Sequence, residues 1–114
     1  MSVQLKTRQV GDVNVVDVAG RITLGEGSSA LRDSLRDMVS KGQKKILLNL
    51  AEVSYIDSSG IGELVSGFTT VANQGGQLKL LSLTKRVKDL LQITKLYTVF
   101  DVHDDEAGAI RSFT

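Results

Sequence analysis

Apolar and polar residues alternate at the start of the chain, over residues 3–8 and again over 13–18. The turn-forming pair Gly11-Asp12 separates the two runs. Alternation at every second position, with many β-branched residues, is typical of strands that bury one face. The pattern therefore predicts two antiparallel strands joined as a hairpin, with Gly20 closing the second strand.

Further along, apolar residues recur three or four positions apart, which is the spacing of one face of a helix. The first such stripe is Leu31–Val39, where we expect the Ser28-Ser29 pair to cap the start and Gly42 to mark the end. The most regular stripe is Ile61–Ala72, which stops before Gly75-Gly76. The spacing therefore predicts two amphipathic helices in the middle of the chain.

Two shorter helices are predicted in the last third of the chain. The stripe Val87–Leu91 follows Thr84, a suitable N-cap residue. The final helix is expected to begin at one residue of the pair Asp104-Asp105 and to bury Ala107 and Ile110. Both helices are short, so their ends are predicted mainly from these caps.

Three short apolar runs lie between the helices, at Ile46–Leu50, at Leu78–Leu83 and, more weakly, at Thr98–Val102. Nearly continuous apolar runs are typical of strands covered on both faces. Strands that alternate with helices imply right-handed crossovers and a mostly parallel sheet. We therefore predict one α/β domain over residues 1–114, with a mixed, mostly parallel β-sheet, an N-terminal antiparallel hairpin and about four helices.

Composition narrows the classes of function. The 114 residues include no cysteine and one histidine, His103, and the chain has a formal net charge of +1. Cysteine-ligated metals and thiol catalysis are thereby excluded, and a weak global charge disfavours nucleic acid as a direct partner. No apolar run approaches the ~20 residues that cross a bilayer. We expect a cytoplasmic protein with no signal peptide, membrane insertion, metal or cofactor.

The junction between the strand Ile46–Leu50 and the most regular helix carries the candidate chemistry. Asp57 is a good N-cap, which would place Ser58 and Ser59 in the first turn near the surface. Gly60 and Gly62 follow, although each glycine costs a helix roughly 1 kcal/mol relative to alanine. Two explanations stay open for the glycines: close packing of the helix on the sheet, or a bare surface that another backbone approaches.

This segment resembles a known family signature. The residues Ile56-Asp57-Ser58-Ser59-Gly60-Ile61-Gly62, which follow Leu48–Val53, are similar to the signature of STAS domains and, more closely, of bacterial anti-sigma factor antagonists. The resemblance extends to Gly20, to Gly75-Gly76 and to Val87–Leu91, and so covers essentially the whole chain.

The resemblance implies a regulatory binding protein and not an enzyme. In that family the unphosphorylated antagonist binds an anti-sigma factor that is also a serine kinase, and so frees the sigma factor. The kinase phosphorylates the first serine of the motif, here Ser58, and a PP2C-type phosphatase reverses the modification. The expected partner-binding residues are Asp57, Ser58, Ser59, Gly60, Ile61, Gly62 and Thr23. At the position of Thr23 the family often has an aspartate. This departure concerns which partner the chain binds more than the switching mechanism.

The same resemblance leaves an alternative, a STAS subunit that regulates or assembles a membrane transport complex from the cytoplasmic side.

Three other short motifs in the chain are less specific. Gly25–Ala30 has the spacing of a dinucleotide-binding turn but follows a hairpin, which favours a loop and helix cap. The acidic run Asp104–Glu106 complements a helix dipole without a metal. The basic run Lys85–Lys88 is either a solvated helix face or a surface for phosphate or an acidic partner.

Overall fold

The computed structural model describes residues 3–113. Within them the elements alternate as the sequence predicts. In chain order they are β1 (Val3–Val10), β2 (Val13–Ile22), α1 (Glu26–Ser40), β3 (Lys45–Ile56), α2 (Ser58–Asn73), β4 (Gln77–Leu81), α3 (Lys85–Ile93), β5 (Val102–His103) and α4 (Glu106–Ser112). The prediction of an α/β fold with a mixed sheet and four helices is confirmed.

The five strands form one sheet in the order β1-β2-β3-β4-β5. The hairpin β1–β2 is antiparallel, with Val10 opposite Val13 at its turn, and the remaining pairs are parallel. Strand β3 pairs with β4 only over Lys45–Asn49, although β3 continues to Ile56 alongside β2. The carboxyl ends of β2 and β3 therefore extend together beyond the end of β4.

Helices cover both faces of the sheet. On one face α1, α2 and α3 pack on the sheet through the larger apolar core, which includes Leu31, Leu64 and Val87, all fully buried. On the other face α4 contributes Ala109 to a smaller core around Leu47. Strand β3 is thus buried from both sides, which explains its continuous apolar run.

Two helix starts differ from the prediction. Ser28 and Ser29 do not cap α1, because the helix already begins at Glu26 with Gly25 as its N-cap residue and no side-chain cap. Gly25 has φ +100°, a conformation that glycine adopts without strain. In α4 the cap is Asp105, and the buried alanine is Ala109, while the predicted Ala107 is exposed.

The strand bounds also differ. Strand β3 is longer than its apolar run because it continues beside β2 past Leu50. Strand β4 ends at Leu81, and Ser82 turns the chain away with φ +59°. The weak run Thr98–Val102 is mostly not strand, since β5 begins only at Val102.

Candidate functional site

The side chain of Asp57 fixes the start of α2. Its Oδ1 accepts a hydrogen bond from the backbone N–H of Gly60 at 2.9 Å. Its backbone is extended, with φ −111° and ψ −174°, and its carbonyl oxygen accepts from the N–H of Ile61 at 3.0 Å. This is the geometry of an N-cap residue, so the predicted cap is confirmed. Ser58 and Ser59 are consequently the first two residues of the helix.

Asp57 also binds the loop that leaves the neighbouring strand. Its Oδ2 accepts a hydrogen bond from the N–H of Leu24 at 3.1 Å, and its own N–H donates to the carbonyl oxygen of Ile22 at 3.3 Å. Ile22 and Ile56 are register partners at the ends of β2 and β3. The loop that contains Thr23 therefore lies directly beside the Asp57–Gly62 segment, on one edge of the sheet.

The charge of Asp57 is stabilised by the backbone around it. Loss of hydration would raise the pKa of this carboxyl, but hydrogen bonds from the backbone N–H groups of Gly60, Leu24 and Ser59 outweigh that loss, and the pKa lies below its ordinary value. Asp57 is therefore ionised at neutral pH, with both oxygens held by the fold. A negative charge is thus already present beside Ser58.

The predicted partner-binding residues divide by exposure. Ser58 is exposed and Ser59 is half-buried. Ile61 is only 2% exposed and belongs to the larger core, so it supports this surface from beneath. Thr23 is half-buried, and its carbonyl oxygen accepts a hydrogen bond from the N–H of Ser28 at 2.9 Å.

The two glycines of the segment lie in different environments. A Cβ atom at Gly60 would overlap the carbonyl oxygen of Ile22 and lie 2.6 Å from the side chain of Ile56. A Cβ atom at Gly62 would have no atom within 4 Å, and Gly62 is exposed. Close packing of helix on sheet therefore accounts for Gly60, whereas Gly62 leaves a bare patch of helix surface.

The sequence predicts that the loop Ile22–Gly27 belongs to the docking surface but does not single out Leu24 within it. This side chain is 78% exposed, although its backbone N–H is held by Asp57. Its backbone contact with Asp57 places this apolar residue next to the start of α2. Its signal in the sequence was a leucine in a glycine-containing loop, outside any helical or strand periodicity.

Sequence reasoning also missed a cluster of two arginines on one tyrosine. The guanidinium carbon of Arg21 lies 5.0 Å from the centroid of the Tyr55 ring, and that of Arg86 lies 4.3 Å from it. Arg21 and Tyr55 are register partners on β2 and β3, and Arg86 is in the first turn of α3. We call these three residues the arginine–tyrosine cluster.

The sheet and this edge of it define a small α/β domain that presents an exposed serine at a helix start, followed along the helix by an exposed glycine, with an exposed leucine on the adjoining loop. A family model of the STAS domain matches residues 4–109. The chain is 32% identical over 111 residues to the anti-sigma-B factor antagonist of Bacillus subtilis (strain 168), covering 97% of this chain and 100% of that protein. The chain belongs to the STAS-domain family of anti-sigma factor antagonists.

Solved structures share the fold. A crystal structure from Thermotoga maritima, described as a candidate anti-sigma factor antagonist, has a TM-score of 0.88 at 24% identity and covers 96% of this chain and 93% of its own. The Bacillus cell fate determinant SpoIIAA, in the phosphorylated form, has a TM-score of 0.75 at 19% identity, covering 95% of this chain and 97% of its own. At these identities the likeness concerns the fold alone. In residues 3–113 no helix has the length and apolar character needed to cross a membrane.

Proposed function

We propose that this chain is a cytoplasmic anti-sigma factor antagonist whose binding to an anti-sigma factor is switched off by phosphorylation of Ser58. The observation that carries the proposal is the exposed Ser58 at the start of α2, beside the capped Asp57 and the bare Gly62. The partner in this proposal is a serine kinase as well as an anti-sigma factor. The proposed domain spans residues 1–114 and performs no catalysis itself.

The proposed docking surface consists of residues 57–62 and the adjoining loop at Thr23 and Leu24. Gly62 lets another backbone approach closely because no side chain stands there. Leu24 offers an exposed apolar side chain that a partner's pocket would bury. The family name of the relatives supports an anti-sigma factor as the partner, since they are named as antagonists of such factors.

Exposure supports Ser58 over Ser59 as the phosphate acceptor. A kinase must reach the hydroxyl, and Ser58 is exposed where Ser59 is half-buried. SpoIIAA, which shares the fold, has been solved in both phosphorylated and unphosphorylated forms, so that protein tolerates the modification within its fold. In this proposal a PP2C-type phosphatase removes the phosphate.

In this proposal phosphorylation weakens partner binding directly and does not act by unfolding the domain. A phosphoserine carries about −1.5 to −2 charges at pH 7. The dipole at the start of α2 stabilises such a charge by ~0.3–1 kcal/mol, which opposes its repulsion with Asp57. A docked partner, in contrast, must desolvate a dianion next to an existing carboxylate. A coupling of ~1–3 kcal/mol would weaken binding about 5- to 150-fold.

The test is incubation of the purified protein with ATP and candidate serine kinases of the anti-sigma type, followed by mass spectrometry of the phosphopeptide. We expect phosphate on Ser58, no labelling of Ser58→Ala and substantial labelling of the matched control Ser59→Ala. Phosphate on Ser59 alone would refute the assignment. The same kinases are then tested for binding to the unmodified and the phosphorylated protein, with melting temperature measured in parallel.

A change in affinity without a matching loss of melting temperature supports the local switch. A large drop in melting temperature on phosphorylation would show that the switch acts by disrupting the fold. A protein that binds none of the kinases would contradict the proposal as a whole. The alternative sequence-based prediction, a subunit of a membrane transport complex, stays a prediction.

A further inference from the structure

The basic run Lys85–Lys88, which begins α3, is divided by the fold into three different environments. Lys85 forms an ion pair with Asp89, one helical turn on, with 2.7 Å between Nζ and Oδ2. Lys88 is exposed on the same helix. Arg86 stacks on the ring of Tyr55, which lies on strand β3 and is far away in the sequence. Arg86 is therefore placed by tertiary structure and not only by solvation of a helix face.

The position of Arg86 at the start of α3 is unfavourable for the stability of the isolated domain. It lies in the first turn of α3, where the helix dipole disfavours a cation, and that turn contains no acidic residue. Arg21 brings a second cation to the same ring. Within residues 3–113 neither guanidinium forms an ion pair with a carboxylate, unlike Arg8 and Arg32.

The attraction between the Tyr55 ring and the two guanidinium groups offsets only part of the unfavourable energy of placing both cations there. A cation above an exposed aromatic ring gains ~0.5–1 kcal/mol, and two like charges near one ring repel each other. Stacking does, however, hold both guanidinium groups in place before any ligand arrives, which lowers the entropic cost of binding. A guanidinium group presents a planar fork of donors that matches a carboxylate.

The cluster is continuous with the proposed docking surface. Arg21 and Tyr55 pair immediately before the Ile22–Ile56 pair, which leads directly into residues 57–62, here called the switch segment. Tyr55 is three residues before Ser58, and Arg21 is two residues before Thr23. A partner that covers Ser58 and Leu24 therefore has Arg21 and Tyr55 within a few residues of its footprint, and Arg86 lies over the Tyr55 ring.

We propose that the arginine–tyrosine cluster binds carboxylates of an acidic segment on the anti-sigma partner and so extends the docking surface beyond the serine motif. This inference rests on the proposed function for the identity of the partner. The charge of the segment follows from the two unpaired arginines alone. The cluster then supplies attraction that does not depend on the state of Ser58, while the switch segment supplies the part of binding that phosphate removes.

The first test uses the purified protein and a hexaglutamate peptide, with a hexaglutamine peptide as the neutral control. We follow the Nε–H signals of Arg21 and Arg86 and the ring protons of Tyr55 by NMR. We expect saturable shifts with the acidic peptide only, and their loss in the double variant Arg21→Gln/Arg86→Gln. Absence of shifts, or equal shifts with both peptides, would overturn the inference.

The second test uses a kinase that binds the wild-type protein, measured at increasing salt. The double variant should associate several-fold more slowly, and its association rate should depend less on salt. The matched control is Lys44→Gln, which removes one positive charge just before the opposite end of β3 and is compared with each single variant, Arg21→Gln and Arg86→Gln. We expect wild-type rates for Lys44→Gln, and an effect equal to that of either arginine variant would refute a specific acidic contact.

A third variant separates geometry from charge. Arg21→Lys/Arg86→Lys keeps both charges but loses the planar fork and should recover the association rate only in part. Full recovery would show that net charge alone acts there. These outcomes are distinct from failure of the proposed function, because the peptide test needs no kinase and the kinase test begins from measured wild-type binding.

Discussion

Alanine at Gly60 should destabilise the protein, whereas alanine at Gly62 should stabilise it, although the two glycines are one residue apart. At Gly60 the new methyl group meets the backbone carbonyl of Ile22, which the N–H of Asp57 holds in place, and the side chain of Ile56 at 2.6 Å. At Gly62 the methyl group meets nothing within 4 Å. The same chemical change therefore tests packing at one position and helix propensity at the other.

The magnitudes follow from these contacts. Overpacking costs about 2–3 kcal/mol where the neighbour is backbone, and alanine recovers about 1 kcal/mol of helix propensity, so Gly60→Ala should lose about 1–2 kcal/mol. Gly62→Ala should gain up to about 1 kcal/mol. In a domain of this size each kcal/mol corresponds to about 4 °C in melting temperature.

Urea unfolding followed by far-ultraviolet circular dichroism measures both changes, because the chain has no tryptophan for fluorescence. The slope m should stay constant while the midpoint moves down for Gly60→Ala and up for Gly62→Ala. Gly67→Ala serves as an intermediate case, since its methyl group would overlap a Leu35 side-chain methyl, which can rotate away. A Gly60→Ala protein as stable as the wild type would refute the packing argument.

Gly62 also permits a separate test of docking. Gly62→Arg places a bulky side chain in open space, so the fold should remain intact. Affinity for the proposed anti-sigma partner should nevertheless fall, because the bare helix surface is lost. If a folded Gly62→Arg protein binds with unchanged affinity, the docking surface lies elsewhere.

Two further predictions concern capping and charge. Asp57→Ala should lower the free energy of unfolding by about 1–2 kcal/mol, and by more than Asp105→Ala does. The reason is that the Asp57 carboxylate accepts from a helix N–H and a loop N–H, whereas Asp105 accepts from one N–H of a short helix. Equal losses in urea unfolding would contradict this. Hydrogen bonds from Arg8 lower the pKa of both Asp17 and Glu106. Their contribution, about 1 kcal/mol or less each at this exposure, is present above their ordinary pKa near 4 and is lost as pH falls through the lowered values. Stability measured from pH 7 to pH 3 should fall less steeply in Arg8→Gln, and parallel curves would exclude this explanation.

The sequence predicted correctly those features that depend only on residues close together in the chain. Asp57 and Thr84 cap their helices as expected, because a cap depends on a side chain and a backbone N–H three residues away. Gly25 begins α1 instead of a serine, since the start there depends on a loop conformation with φ +100°. Strand β3 extends past its apolar run because pairing with β2, and not its own sequence, continues it to Ile56.

The site was predictable only in part for the same reason. The serine motif could be located because its residues are adjacent in the sequence. The arginine–tyrosine cluster could not, because Arg21, Tyr55 and Arg86 come from three elements whose contact depends on strand register and on the position of α3. Exposure of Leu24 likewise depends on how its loop is held by Asp57.

The segment Asp57–Gly62 thus combines two requirements, close packing at Gly60 and an open surface at Gly62, which look the same in the sequence because both are met by glycine. Gly60 is needed because α2 lies so close to β2 that a side chain would strike the carbonyl of Ile22. That closeness lets Asp57 reach Leu24 and fixes the loop beside Ser58. Gly62 leaves the adjoining helix surface open. Packing at the first glycine therefore positions the surface that the second leaves bare, and a charge added at Ser58 enters a region whose backbone is already held from both sides.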